Sequence, residues 1–268
     1  MSLEFKHVLI KGRLNNYKLN VDINDKIIIG VFSNDEKAIN DFFLKASGVN
    51  TNEGNIFFRG YSVFDNKEYF KNRLLINYKQ PYITSLDKSY LQKYFKENYN
   101  IDIDLNIFEK INKDLKLRNE YLIKDKYIFT KRGLNLVNYS LTKCIGKKIN
   151  FIYNVISNCS KEEREIILLG LADKENFDVN FLDFNDVLVS SKFIDKYLFF
   201  SNSGEIVFLT NDDDVYLVGG EILNSLIYNK TKDISITNYE YTKEEIKTFK
   251  KRKIILKKIK FIDVERYL

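Results

Sequence analysis

The chemistry that the side chains of this sequence can offer is narrow. A single histidine, His7, and two cysteines, Cys144 and Cys159, exclude a Cys/His zinc site and any histidine-based triad within the chain. Cys144 reads as a small buried filler, because free cysteine usually packs as a hydrophobe. The stretch Gly30-Val31-Phe32-Ser33-Asn34-Asp35-Glu36-Lys37-Ala38, an apolar run leading through a polar loop to a helix start, can be set beside the phosphate-binding loop pattern. A loop of the form G-x-x-x-x-G-K-[ST] curls successive backbone N–H groups around phosphates, reaches them with the lysine and holds Mg²⁺ through the hydroxyl. Here Lys37 stands in the lysine position, but no glycine lies between it and Gly30, and Ala38 has no hydroxyl. Asp35 and Glu36 would meet phosphates with like charge. At a helix N-terminus the same two acids are favoured by the macrodipole, and Lys37 is then an ordinary helix-start lysine. A second charged feature is 243–260, KEEIKTFKKRKIILKKIK, with nine Lys/Arg against two Glu. With Phe249 and Ile254-Ile255-Leu256 it can lie against anionic lipid or a nucleic-acid backbone, or form a solvated helix or edge strand.

The elements that must position these residues are set by a chain of 268 residues, long enough for one or two domains. At 44% hydrophobic and 15% aromatic it can fill a sizeable core, and 30% charged residues give a soluble surface. Lys+Arg 43 against Asp+Glu 37 gives a net charge of +6, which permits anionic partners without demanding them. One proline rules out proline-rich linkers and collagen-like segments. With no cysteine framework, a reducing interior is expected. The first residues, MSLEFKHVLI, lack the apolar core of a signal peptide, and no run is apolar enough to span a membrane.

Alternating residues 3–10 and 19–23 predict half-buried strands, and the apolar run Ile27–Phe32 a strand covered on both faces. A helix is expected over 37–47, then strands at 54–60 and 74–78. Residues 84–158 read as mostly helical: Tyr90, Leu91, Tyr94 and Phe95 share one face, and Ile149, Ile152, Tyr153 and Ile156 another. Beyond them the pattern predicts a helix at 161–172, a strand at 178–183, a helix near 190–199, and strands at 205–210 and 214–218. Strands interleaved with helices mean an α/β sheet, with the helical middle as an insertion.

The order of these elements resembles the ABC-transporter nucleotide-binding domain. That family runs as two strands, a phosphate loop and helix, a glycine-bounded strand, a glutamine loop, a helical subdomain, a signature motif, a carboxylate-bearing strand and a final switch strand. Gly54-Asn55-Ile56-Phe57-Phe58-Arg59-Gly60 is similar to its G-x-I-x-x-x-G strand, and Ile76-Asn77-Tyr78-Lys79-Gln80-Pro81 to its glutamine loop. The signature Leu-Ser-Gly-Gly-Gln, which precedes a helix, aligns with Leu141-Thr142-Lys143-Cys144-Ile145. Asp183 takes the place of the magnesium-binding Asp, Phe184 that of the catalytic Glu, and Asn211 that of the switch histidine. Tyr17 and Phe5 are the nearest aromatics to the place of the adenine-stacking ring.

The resemblance implies a P-loop NTPase-like ABC nucleotide-binding fold over 1–228 with a helical insertion at about 86–145, followed by a basic C-terminal extension over 229–268. Its nucleotide-side positions are Gly30, Lys37, Ala38, Gln80, Asp183 and Asn211, and its signature-side positions Leu141, Thr142, Lys143 and Cys144. No catalytic residue, metal ligand or bound cofactor is expected, because glycine cradle, magnesium hydroxyl, glutamate and histidine are all replaced, and phosphoryl transfer depends on such positioning groups. The family's ATP sites pair one subunit's phosphate loop with the other's signature, and both halves depart from the pattern here. The expectation is a pseudo-ATPase subunit, cytoplasmic and peripheral on the inner face of the membrane. It would hold a membrane permease subunit, an intact ABC ATPase subunit, or both, with anionic lipid contact through 243–260 and no specific nucleic acid. Two alternatives remain open: a weak but genuine ATPase using ATP and Mg²⁺ at Lys37, Gln80 and Asp183, and a basic nucleic-acid or membrane-surface module.

Overall fold

A computed structural model describes residues 2–50, 53–76, 88–99, 102–114, 139–153, 155–156, 159–184 and 191–268. The chain opens with β1 (Leu3–Lys11), β2 (Asn16–Ile23) and β3 (Ile27–Ser33). Helix α1 (Glu36–Ala46), β4 (Asn55–Phe58), β5 (Tyr61–Ser62), α2 (Lys67–Asn72) and β6 (Arg73–Ile76) follow. The middle holds α3 (Lys88–Tyr99), α4 (Leu105–Asp114) and α5 (139–145). Then come β7 (Ile149–Ile152), α6 (Lys161–Leu171), β8 (Val179–Asp183), β9 (Lys196–Phe200) and β10 (Ile206–Leu209). The chain closes with β11 (Asp214–Gly219), β12 (Ile227–Asn229), β13 (Ile234–Thr237), α7 (Lys243–Lys251), β14 (Leu256–Lys260) and a 3₁₀ turn at Phe261–Arg266.

The strands form three sheets, ordered β2-β1-β4-β5, β10-β9-β3-β8-β7-β6 and β12-β13-β11-β14. In the central sheet β3 lies between β8 and β9 and is parallel to both, and β6, β7 and β8 are also mutually parallel. Strand β3 is buried along its whole length, as its uninterrupted apolar sequence requires. Its odd-numbered side chains, Ile27, Ile29 and Val31, join Phe42 and Phe43 of α1 and the first sheet in one cluster. Ile28 and Phe32 join α6, the third sheet and the 3₁₀ turn in the other. Phe261 packs on Tyr197 and Phe199, with ring centroids 4.5 and 5.7 Å apart.

Two helices expected from the sequence are strands. Residues 149–152 form β7, seated between β6 and β8, and the segment read as a helix near 190–199 supplies β9. In β7 all four residues are buried, so tertiary burial on both faces overrides the helix-like spacing of the isoleucines. The boundary expected at 228/229 falls inside β12, and β11 pairs with β13 and β14 beyond it.

Candidate functional site

The C-terminal ends of β3 and β8 meet the start of α1, where the phosphate-directed residues fall. Only Asn34 and Asp35 separate β3 from α1. Asp35 is the helix N-cap: its carboxylate accepts from the Lys37 backbone N–H at 3.0 Å, and the Ala38 N–H donates to the Asp35 carbonyl at 2.9 Å. The other carboxylate oxygen takes a short hydrogen bond from the Arg13 backbone N–H in the β1–β2 turn. A methyl on Gly12 would come 2.5 Å from that same oxygen, so the turn closes tightly on Asp35. Ser33 Oγ accepts from the Asp35 N–H at 3.0 Å and donates to the Phe200 carbonyl at 3.2 Å. The Lys37 amide, which would face a phosphate, therefore faces a carboxylate belonging to the chain, and the Ala38 amide faces the Asp35 carbonyl.

The side chains around this seat point elsewhere. Ala38 is fully buried in the α1 core, while Lys37 is exposed. Gly30 lies within β3, in register with Leu182 and Tyr197, and the Phe184 ring covers it. Asp183 ends β8 opposite Val31, is buried, and has partners of its own. Tyr17 is buried with its hydroxyl donating to the Ser201 carbonyl at 3.1 Å, and Phe5 packs on Phe42. Neither ring is free to stack on a base. Gln80 lies outside the described residues.

Three expected positions are not brought to this end of the sheet, or change place in the order of elements. Strand β10 runs antiparallel to β9, with Leu209 opposite Tyr197. Asn211 is thereby carried to the N-terminal end of β9, away from Lys37. There it donates to the Ser191 and Ile194 carbonyls at 3.0 Å each and accepts from the Tyr197 hydroxyl at 3.1 Å. The signature-side residues Leu141, Thr142, Lys143 and Cys144 sit inside α5, which leads directly into β7, rather than in a loop ahead of a helix. Leu141, Thr142 and Cys144 are buried, and Lys143 Nζ donates to the Gly170 carbonyl at 3.0 Å beside Asp173. Burial pushes the Cys144 thiol up to about 12, with the Asp104 charge adding to the effect, so the thiol is inert as expected of a packed cysteine. Finally, β7 is the first strand after the helical middle. In the order that the resemblance implies, β7 takes the carboxylate-bearing place, and β8 with Asp183 takes the one after it. Strand β7 leads into Tyr153, a buried ring whose hydroxyl donates to Asn40 Oδ1 at 3.1 Å.

A cleft of about 460 Å³ opens beside the seat, lined by Arg13, Asn15, Tyr17, Asn34, Asp35 and Asn202. Asn15 Nδ2 donates to the Asn202 carbonyl at 2.8 Å and Asn34 Nδ2 to Asn202 Oδ1 at 3.2 Å, tying the β1–β2 turn, the β3–α1 loop and the β9–β10 hairpin together. Arg13, Asn15 and Asn202 belong to no motif, and nothing in their local sequence marks them. As a seat for Mg²⁺ and a triphosphate these residues do not fit: a carboxylate occupies the Lys37 amide, the position for a metal-binding hydroxyl is a buried methyl, and two residues cannot wrap a phosphate chain.

No protein-family model matches the sequence, and no curated protein matches it by sequence. Its structure is similar to that of a protein provisionally named a cobalt transport ATP-binding protein, with 18% identity, TM-score 0.59, and coverage of 89% of this chain and 93% of the other. A provisionally named ABC-transporter ATP-binding protein from Pyrococcus furiosus superposes with TM-score 0.52 at 11% identity, over 74% of this chain and 97% of its own. An ATP-binding cassette solved as a dimer bound to ADP and Pi matches with TM-score 0.53 at 11% identity, over 78% and 98%. The chain has the α/β fold of ABC-transporter ATP-binding subunits.

Proposed function

We propose that this chain is an ATP-binding-type subunit of an ABC transport assembly that holds or regulates its partners without hydrolysing ATP. The observation that carries the reading is the Asp35 carboxylate held between the Lys37 amide at the start of α1 and the Arg13 amide, where a working subunit would seat phosphate. The buried Ala38 supports it, since a methyl in the core stands where a metal-binding hydroxyl is needed. The partners are a membrane permease subunit, an intact ABC ATPase subunit, or both, at the inner face of the membrane. A composite site built from this chain's phosphate-loop side and a partner's signature side would lack its phosphate seat.

Purification of the full chain from membranes in mild detergent tests this reading. The expected result is a complex with a permease or a second ATP-binding subunit whose ATPase rate is unchanged by Lys37→Ala in this chain. Loss of turnover in that variant would overturn the silent reading, and recovery of the chain alone would overturn the subunit reading.

A further inference from the structure

A second cleft, of about 520 Å³, opens between α6, the 191–193 segment and the 3₁₀ turn at Phe261–Arg266. It lies across the central sheet from α1, because its Leu168 and Phe193 pack in the cluster of Ile28 and Phe32. Helix α6 lines it with Lys161, Arg164, Glu165 and Leu168, which share one face at the i, i+3, i+4, i+7 spacing. Ile262 and Glu265 line it from the 3₁₀ turn, three residues apart and so one above the other. The Ser191 N–H donates to the Tyr197 hydroxyl at 2.9 Å, which fixes the third wall against the core.

Arg164 ties two of these walls together and is left short of partners. Its Nη1 donates to Glu265 Oε1 at 3.2 Å, and both side chains are mostly buried. Its Nε is buried with no hydrogen-bond acceptor, and its Nη2 makes no bond among the described residues. A buried donor without an acceptor is rare enough in a folded protein to call for a reason. The remaining charges of the lining do not cancel. Arg266 is held by Asp263 at 3.0 Å, as Arg164 is by Glu265. Lys161 and Lys192 are exposed with no ion pair among the described residues, and Glu165 is the unpaired carboxylate set against them. Two free lysines against one free glutamate leave one positive charge. Beside that charge the cleft is apolar: Leu168 is buried, and Lys192 Nζ lies over the Phe193 ring, 5.2 Å from its centroid. The first amides of α6 take no part, since Ser160 and Glu163 cap each other's N–H groups at 3.2 and 2.8 Å.

We infer that this cleft is a binding site for a small organic monoanion, a carboxylate carried on an apolar body. The carboxylate sits among Arg164, Lys161 and Lys192, and the apolar body lies on Leu168, Phe193 and Ile262. The volume of about 520 Å³ falls within the roughly 300–1,000 Å³ of small-molecule sites. A phosphate monoester, at about −1.5 to −2 near neutral pH, brings more charge than the lining offsets. The cleft shares no lining residue with the one beside Asp35, so the inference stands apart from nucleotide chemistry.

Calorimetry of the full chain with 4-phenylbutyrate and with octanoate tests it. The uncharged 4-phenylbutanol and the doubly charged phenyl phosphate serve as counterparts. Both carboxylates are expected to bind with dissociation constants below about 1 mM, and both counterparts about tenfold more weakly. Lys161→Ala with Lys192→Ala is expected to weaken carboxylate binding about tenfold. That variant should keep the wild-type unfolding midpoint, because both side chains are exposed. Arg164→Gln is expected to abolish binding and also to lower the midpoint, since it leaves Glu265 unpaired, so the lysine variant decides the matter. No binding of either carboxylate at about 5 mM would overturn the inference. So would equal binding of the alcohol, tighter binding of phenyl phosphate, or an affinity that the lysine variant leaves unchanged.

Discussion

The ring of Phe184 lies against the backbone of Gly30, across the β3–β8 pair. A methyl on Gly30 would collide with Cε2 and lie 2.8 and 2.9 Å from Cδ2 and Cζ. The Phe184 N–H also donates to the Val31 carbonyl at 2.9 Å, so ring and strand are locked together. The glycine that begins the phosphate-directed stretch is thus required by an aromatic ring, and the contact is made in the core.

Gly30→Ala is therefore expected to lower unfolding stability by about 1–3 kcal/mol, as overpacking of a filled core does. Phe184→Leu in the same chain is expected to restore part of the loss, which urea unfolding of the single and double variants would measure. Additive losses would mean that the two residues do not share the space. Phe184→Glu is expected to destabilise severely, since it buries a carboxylate, and to create no ATPase activity.

Asp35 holds the start of α1 and the β1–β2 turn at once. Asp35→Ala is expected to cost about 1 kcal/mol for the lost cap, and somewhat more because the Arg13 N–H also loses its acceptor. Asp35→Asn keeps an acceptor oxygen and is expected to fall between the two in thermal unfolding. An Ala variant as stable as the parent would show that the carboxylate does not hold this seat.

Much of this end of the molecule was legible in the sequence. The pair Asp35-Glu36 before an apolar periodic run marks a helix start, and α1 begins there. The run Ile27–Phe32 marks a strand covered on both faces. The misreadings have physical causes. Ile149, Ile152, Tyr153 and Ile156 recur at helical spacing, and a four-residue strand buried on both faces shows no alternation to contradict it. Reading 149–152 as helix leaves β8 as the first strand after the helical middle, which gives Asp183 the place that belongs to β7. For Asn211 a signal was present: Ser201-Asn202-Ser203-Gly204 between the apolar runs 197–200 and 206–209 marks a hairpin, and Gly204 has φ +87 in its turn. A hairpin reverses the strand, and that alone puts Asn211 at the far end.

Asn211 is expected to be a structural residue. Asn211→His, which would restore the family's switch residue type, is expected to lose about 1–3 kcal/mol by taking the side-chain donor from the carbonyl of buried Ile194. Hydrogen exchange at 191–197 should rise in this variant. Increased ATP turnover instead would place Asn211 in a site that its position in the fold denies it.

Cys144 and Tyr139 set an alkaline limit. Burial raises Cys144 from 9.0 and Tyr139 from 10.0 to about 12 in each case. Both neutral forms are favoured by the fold, so their contribution is fully present below the unfolded values and is lost as pH rises from 9.0 towards 12. Unfolding midpoints are expected to fall across that window, and Cys144→Ala should remove the part that begins at the thiol. At neutral pH a thiol reagent should label Cys159, which is half-buried, and spare Cys144 until the chain unfolds. Fast labelling of both would contradict the burial.

The nucleotide seat is the point on which the silent reading rests. With Asp35 on the Lys37 amide, a bound phosphate would have to displace that carboxylate and find its donors in a loop of only two residues, Asn34 and Asp35, the second of which is itself an anion. Calorimetry of the purified full chain with Mg-ATP measures this directly. The expected result is no binding tighter than the millimolar range and no hydrolysis above background. A dissociation constant below about 50 μM, lost in Lys37→Ala, would contradict it.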